Sequence, residues 1–206
     1  MITKSLDKDI YWTIAEQKEA EISVLKSRFI AEAYPVTSKN QADGVLDVVR
    51  HKYHDASHHC FAWTTGHDGL EYRFSDDGEP NGSAGKPIFF MINKYDLKNV
   101  IVVVTRYFGG KKLGVGGLSR AYSEAAEEVL KLCERKPEYI TKTIKTFCTY
   151  EDIQAIKKLL EKYSVKNIED YRDSIEIISE IPISLINEYQ NIVTSNTKGR
   201  AGTVIV

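Results

Sequence analysis

A glycine-rich, positively charged stretch is the part of the sequence best suited to chemistry. It reads RYFGGKKLGVGGLSRAY and spans Arg106 to Tyr122. Glycines let the backbone adopt positive φ and let another molecule approach its N–H groups closely. Between Leu97 and Ser123 there is no carboxylate, although five cations occur there. The stretch, together with one nearby lysine, therefore predicts an anion site formed by Arg106, Tyr107, Gly109, Gly110, Lys111, Lys112, Gly114, Gly116, Gly117, Arg120 and Lys86.

The spacing of these glycines leaves two interpretations open. A GxGG sequence just ahead of a helix can present N–H groups and the helix dipole to a phosphate or carboxylate. The stretch matches neither the Walker pattern nor the dinucleotide pattern GxGxxG. The alternative is structural: tight turns and close packing of a strand against a helix. The aromatic residues Tyr107 and Phe108 favour binding, because aromatics beside cations stack on bases or on peptide side chains. Core packing explains one of the two rings equally well.

A second polar loop, residues 75–85, carries three carboxylates: Asp76, Asp77 and Glu79. Such a group can hold Mg²⁺ or act as general acid and base, so these three are the candidate catalytic residues. Asp-Gly and Asn-Gly are also ordinary turn sequences. Because the two glycine-rich loops flank one predicted helix and one predicted strand, we expect them to open into a single cleft of mixed charge.

All five histidines lie between His51 and His67, and three of them have the spacing HxxHxxxH. Three neutral imidazoles and a water would satisfy zinc. We expect these histidines to fall on a helix end and on both faces of a strand, so the sequence predicts no metal site. Cys60 paired with a histidine would make a nucleophile, but a strand cysteine among aromatics is more typical of a core.

The composition limits the class of protein. The 206 residues carry 28 Lys and Arg against 29 Asp and Glu, so any polyanion must bind locally. The three cysteines lack CxxC spacing, which favours a reducing compartment over a disulfide framework. We find no membrane-length apolar run and no signal-peptide pattern. The sequence predicts a cytoplasmic protein without a membrane partner, and it leaves any cofactor unidentified.

The elements that position the two loops follow from periodicity. The first half shows β-rich runs at Ile10–Ile14 and Glu21–Tyr34, a helix capped by Thr37-Ser38, and a hairpin from His58 to Phe74. The loop 75–85 then leads into a helix over 84–95 and a buried strand over 100–104. A further helix follows the glycine-rich stretch.

The second half has a different pattern. A polar segment containing a proline, residues 134–138, predicts a linker. Residues 139–206 follow in the order βαββαβ, which is typical of a ferredoxin-like domain. This domain carries no nucleic-acid signature of its own.

Three blocks of sequence resemble the YigZ/IMPACT family. They are HHCFAW at 58–63, FSDDGEPNGSAGKP at 74–87 and VVTRYFGGKKLGVGGLSRAY at 103–122. The resemblance implies an α+β fold with two domains. Residues 1–134 would form the family's N-terminal domain, similar to a ribosomal-protein domain of the left-handed βαβ type. Residues 139–206 would form a ferredoxin-like domain similar to one in elongation factor G.

The resemblance implies a general area of function and no specific activity. Eukaryotic relatives are linked to translational control. The leading hypothesis is a protein that binds RNA or the ribosome, with cations of the glycine-rich stretch on phosphates and Tyr107 stacking. No sequence-specific reading of DNA is expected. The alternative is a small peptidase-like hydrolase that uses the acidic loop, with or without a divalent cation. A scaffold that binds a protein partner of the translation apparatus is the third hypothesis.

Overall fold

The computed structural model describes residues 7–171 and 175–206, and of 167–171 the backbone alone. The chain divides into two compact units, Tyr11–Pro137 and Glu138–Val206, the second of which includes the described residues before Tyr11. Residues 1–6 of the first predicted domain and 172–174 of the second lie outside the described residues. The assignment of these units to the two family domains stays a prediction.

The larger unit contains seven strands and three helices within its described residues. In chain order they are β1 (Ile10–Ile14), β2 (Lys18–Val24), β3 (Ser27–Pro35), α1 (Lys39–Lys52), β4 (His58–Thr65), β5 (Glu71–Ser75), α2 (Gly85–Lys94), β6 (Val100–Tyr107), α3 (Gly114–Leu132) and β7 (Arg135–Tyr139). As predicted, Ser38 caps α1, where its side chain accepts a hydrogen bond from the N–H of Gln41.

A five-stranded antiparallel sheet with the order β2-β3-β6-β4-β5 forms the centre of this unit. Because side chains alternate along a strand, β6 serves two cores. Val100, Val102 and Val104 pack in the cluster that contains α2 and α3, whereas Ile101 and Val103 pack with α1. Burial on both faces explains why β6 is a continuous apolar run. It also fixes the position of Arg106, which lies near the end of this strand.

The predicted β-rich run Glu21–Tyr34 is two strands rather than one. Leu25 and Lys26 both adopt positive φ, 47° and 69°, and reverse the chain between β2 and β3. Such a two-residue turn matches the twist of an antiparallel hairpin. Neither residue is a glycine, so the turn had no sequence signal.

The smaller unit contains β8 (Thr141–Cys148), α4 (Ile153–Tyr163), β9 (Lys166–Tyr171), β10 (Ile175–Pro182), a short 3₁₀ turn (Ile183–Leu185), α5 (Ile186–Asn196) and β11 (Gly202–Ile205). Its sheet is antiparallel with the order β11-β8-β10-β9. This βαββαβ arrangement is the predicted ferredoxin-like one, and the α+β class is confirmed.

Residues 134–138, predicted as a linker, lie mostly in a strand. β7 pairs with β1 in a two-stranded sheet, and the N–H of Ala15 donates to the carbonyl of Glu134. Pro137 is compatible with such a sheet, because a strand with a free edge does not need every N–H. The guanidinium of Arg135 also lies 4.6 Å from the ring centre of Trp12.

Among the described residues, none of the helices has the length and apolar character that a membrane span needs.

We expect Ile177→Ala to destabilise the smaller unit by about 2–5 kcal/mol, because Ile177 is fully buried on β10 and its truncation leaves a cavity. The measurement is urea unfolding followed by circular dichroism. Val204→Ala is the matched control, since Val204 lies half-exposed on β11 in the same sheet. Equal losses in the two variants would contradict the assigned core.

Candidate functional site

A buried ion pair joins the acidic loop to the glycine-rich stretch. Nη1 of Arg106, near the end of β6, lies 2.6 Å from Oε1 of Glu79, in the loop between β5 and α2. The two side chains are only 6% and 4% exposed. A guanidinium and a carboxylate removed from water need each other, because either one left alone would be strongly unfavourable. The structure therefore brings together the two loops that the sequence places 27 residues apart.

Tyr122 and Cys60 extend this network into the core. The Tyr122 hydroxyl, on α3, donates to the same Glu79 oxygen at 2.8 Å, and the Cys60 thiol donates to Tyr122 at 3.3 Å. Burial raises the pKa of both groups well above their usual ranges. Cys60 is therefore a neutral thiol in a packed core, and it is not a candidate nucleophile at neutral pH.

Two aromatic rings lie close to the Arg106 guanidinium. Its guanidinium carbon lies 5.4 Å from the ring centre of Phe29 and 5.5 Å from that of Phe108. Nη2 donates to the Ser27 hydroxyl at 3.3 Å, and Nε is buried without a hydrogen-bond partner. Because its charge is paired with Glu79 and its side chain is buried, Arg106 positions the loops and Phe108 rather than offering a free charge.

A cavity of about 310 Å³ opens above this ion pair. Three charged residues line it: Glu79, Arg106 and Lys112. The other lining residues are apolar or glycine: Pro80, Phe108, Leu113, Gly114, Val115 and Leu118. Phe108 and Val115 are about half exposed although they are apolar. The cavity therefore combines an aromatic ring, a cation and the first turn of α3.

Asp76, a predicted catalytic carboxylate, is occupied by backbone amides. Its Oδ1 accepts hydrogen bonds from the N–H groups of Ala84 and Gly85, both at 2.9 Å, and its Oδ2 accepts from Gly82 at 2.8 Å. The helix α2 has no side-chain cap of its own, so Asp76 supplies one from the loop. A Cβ at Gly85 would lie 2.7 Å from the Ser75 backbone, which explains the glycine there.

Asp77 fastens the same loop to β4. Its Oδ2 accepts a hydrogen bond from the His59 N–H at 2.7 Å, and its Oδ1 lies 3.4 Å from the Arg50 guanidinium. Its carbonyl is 2.8 Å from Nδ1 of His58. Of the three predicted catalytic carboxylates, only Glu79 lines the cavity.

The histidines have local partners. Nδ1 of His51 lies 2.7 Å from the Asp47 carbonyl, and Nε2 of His59 lies 3.1 Å from the Tyr53 carbonyl. In the described part of the chain, no three His, Cys, Asp or Glu side chains are grouped to hold a metal ion. Partial burial lowers the pKa of His59 below its usual value.

The glycines of the stretch divide into two kinds. A Cβ at Gly109 would lie 2.0 Å from the Lys26 backbone, and the Gly109 N–H donates to Ser27, so this glycine is required by packing. Gly110 and Gly114 have positive φ, and a Cβ at either would meet open space. Gly116 and Gly117 lie inside the first turn of α3 rather than ahead of the helix, because α3 begins at Gly114.

The predicted cations fall into two groups, those that are exposed and one that is buried in an ion pair. Lys86, Lys111, Lys112 and Arg120 are exposed and make no ion pair with the described residues. Arg106, as described above, is paired. Tyr107 donates its hydroxyl to Asp55 at 2.7 Å, and the Arg28 guanidinium lies 5.4 Å from its ring centre, so one ring face is already covered.

Sequence reasoning missed two parts of the site. Tyr122 belongs to the apolar stripe of α3, where a tyrosine resembles any other core residue, so its hydrogen bond to Glu79 had no signal. The second is a smaller cavity of about 250 Å³ beside the first turn of α2, lined by Gly82, Lys86, Pro87, Phe90, Ser119 and Ser123. Only the exposed Phe90, off the apolar face of its helix, marks it in the sequence.

Comparison with known proteins identifies the family. The model of the Impact N-terminal domain matches residues 25–130, and the family member YvyE of Bacillus subtilis is 33% identical over 93% of this chain and 88% of its own. The chain belongs to the IMPACT family. YigZ of Escherichia coli, another IMPACT family member, is 32% identical over 85% of this chain and 88% of its own.

Solved structures give a similar result for the fold. The crystal structure of a hypothetical protein superimposes with a TM-score of 0.74 at 28% identity, covering 96% of this chain and 98% of its own. The two-domain translational regulator Yih1 is 32% identical over 59% of this chain and 47% of its own, but its TM-score of 0.35 supports no structural argument.

We expect Glu79→Ala to destabilise the larger unit by about 3–5 kcal/mol, because it leaves the Arg106 guanidinium buried without a counter-ion. Tyr122→Phe, which removes one hydrogen bond to the same oxygen, costs about 1 kcal/mol. Urea unfolding of Glu79→Ala, Arg106→Met and the double variant measures the coupling. Additive losses would show that the two side chains do not form the buried pair.

We also expect acid to destabilise the fold through His59. Because its pKa is lowered in the folded state, the unfolded chain takes up a proton first as the pH falls. Its contribution is present above about pH 6.5, the usual histidine value, and is lost as the pH falls through the lower folded value. His59→Gln should therefore reduce the loss of stability between pH 7.5 and 5.5. His67→Gln, at an exposed loop position, should leave it unchanged.

Proposed function

We propose that this protein binds RNA of the translation apparatus in the cytoplasm. The observation that carries the proposal is a group of four exposed cations with no ion pair among the described residues: Lys86 on α2, Lys111 and Lys112 just before α3, and Arg120 in its second turn. The first-turn N–H groups of a helix and its dipole favour the same anionic partner. Phosphates of a nucleic-acid backbone fit a surface of this kind.

The carboxylates nearby are occupied by partners within the protein. Glu79 is bound by Arg106 and Tyr122, Asp76 by three amides, and Asp77 by Arg50 and the His59 amide. Two of the three carboxylates are therefore paired with an arginine, while Lys111 and Lys112 have no ion pair among the described residues. The exposed cations thus form a local group in a chain whose formal net charge is -1.

The spread of the cations favours a polymer over a single small anion. Lys86 is on α2, Lys111 and Lys112 are in the loop before α3, and Arg120 is in the second turn of α3. One phosphate would engage only part of this set. The translational theme comes from the family, and within it RNA or the ribosome is the polyanion we propose. Arg106 and Tyr107 take supporting roles, because their contacts within the protein occupy them.

The hydrolase alternative retains one observation. Glu79 lines the larger cavity, and Nε2 of His58 lies 4.0 Å from its Oε1. A peptidase screen with and without Mg²⁺, Mn²⁺ or Zn²⁺ addresses it. Because Asp76 holds three amides, the informative variant is Glu79→Gln rather than Asp76→Asn. Turnover that Glu79→Gln abolishes, in a folded protein, would favour the hydrolase.

We expect Lys111→Glu combined with Lys112→Glu to weaken binding to ribosomal RNA by at least about tenfold at low salt. The log-log dependence of affinity on salt should become shallower by about 1.4 units, since each single-strand phosphate contact contributes about 0.7. Filter binding across a salt series measures both. The matched control, Lys142→Glu with Lys158→Glu, reverses two exposed lysines in the smaller unit. Salt-independent binding, or equal losses in both double variants, would contradict the proposal.

A further inference from the structure

The larger cavity, beside the first turn of α3, and the smaller one, beside the first turn of α2, have similar linings. The larger one is lined by Phe108 and Lys112, and the smaller one by Phe90 and Lys86. Phe108 is 50% exposed and Phe90 is 63% exposed, and both lysines lack an ion pair among the described residues. Each cavity thus offers one accessible aromatic ring and one free cation.

Two helices form the smaller cavity with residues one turn apart. Lys86 and Phe90 are four residues apart on α2, so they lie on the same face of that helix. Ser119 and Ser123 are likewise four apart on α3, and their hydroxyls have no partner among the described residues. The ring, the cation and two hydroxyl groups therefore line one small depression.

The two cavities are close neighbours. Glu79 and Pro80 line the larger one, and Gly82 lines the smaller one. Pro80 and Gly82 are two residues apart, so their Cα atoms are separated by at most about 7 Å. The only carboxylate in either lining is Glu79, and Arg106 neutralises it. The surface therefore repeats an aromatic ring and a cation over a short distance with no free negative charge.

We infer that this surface binds single-stranded RNA, with one base on Phe108 and a neighbouring base on Phe90, and with phosphates at Lys112 and Lys86. A single strand is a polymer whose every repeat carries one aromatic base and one anion, which matches the repeat of the two cavities. In a duplex the base faces are stacked on each other and are not available. The inference rests on the proposed function. It adds that the RNA is single-stranded and names the residues that contact its bases.

Arg106 explains how Phe108 is kept in place for this role. The guanidinium covers one face of the Phe108 ring, and the ring is half exposed, which leaves the other face to a base. The ring centre of Phe29 lies 5.4 Å from the same guanidinium. The buried ion pair thus positions an exposed ring on which a base can stack.

The test compares three labelled probes: a ten-nucleotide oligo(A) RNA, its abasic counterpart of equal phosphate number, and an RNA hairpin whose bases are paired. We expect oligo(A) to bind at least about tenfold more tightly than the abasic strand and more tightly than the hairpin, since two stacked bases contribute. Phe90→Leu with Phe108→Leu should remove that difference and keep the salt dependence. Phe90→Tyr, which retains a ring, should keep the affinity. Tyr150→Leu, at a 72% exposed aromatic of the smaller unit, is the control.

Each outcome decides the inference. Equal binding of oligo(A) and the abasic strand, or full affinity in Phe90→Leu alone, overturns it and leaves RNA binding through phosphates intact. Preferential binding of an Asp-Phe repeat peptide over oligo(A) also overturns it and assigns the cavities to an acidic protein. If no RNA binds at low salt, the proposed function fails as well. The single variant Phe90→Leu keeps the test valid if loss of Phe108 unfolds the protein, which a thermal melt reports.

Discussion

The contact between Arg106 and Glu79 is the constraint on which the site depends. Two opposite charges lie 2.6 Å apart, in side chains almost wholly removed from water. Such a pair contributes little net stability compared with an apolar pair of the same size, because desolvation offsets the attraction. It does restrict geometry, since neither partner can move away without leaving a buried charge alone. The loop after β5 and the end of β6 therefore stay together, because moving them apart would leave a buried charge without a partner.

This constraint divides the charged residues of the region into two sets. The inner set consists of carboxylates and one arginine that satisfy each other or the backbone, and its members shape the loops. The outer set consists of lysines and an arginine that face water without partners among the described residues. Because the carboxylates of the acidic loop are occupied by partners within the protein, they form no ion pair with the outer set in the described part of the chain. A sequence that mixes acidic and basic loops thus leaves a group of exposed cations.

Elements with a strong periodic signal could be predicted from the sequence. The apolar run of β6, the Ser38 cap of α1 and the βαββαβ order after residue 139 all follow from local chemistry. The turn at Leu25 and Lys26 could not be predicted, because two non-glycine residues adopt positive φ there only within a hairpin. β7 was missed for a similar reason. Its polar residues and Pro137 resemble a linker until β1 provides a partner.

The candidate site was predictable in its residue types and less so in their roles. Charge and glycine content indicated which segments matter, and the structure brings those segments together. Which cation is buried depends on the register of β6, because Arg106 lies two residues after Val104 and therefore on the same buried face of the strand. Asp76 was a plausible base until the backbone of 82–85 was seen to surround it. Roles of this kind depend on tertiary contacts that spacing does not encode.

Gly116, in the first turn of α3, is a glycine that packing does not explain. Glycine in a helix costs about 1 kcal/mol relative to alanine, so its presence needs a reason. Its backbone is not at positive φ, and a methyl group at this position would lie 3.8 Å from the Arg120 side chain, which is ordinary contact. Folding therefore does not require glycine here, in contrast to Gly109. The binding proposed above would account for it, because an anion that contacts the amides of α3 approaches the backbone closely, and Lys111 and Lys112 beside that turn have no ion pair among the described residues.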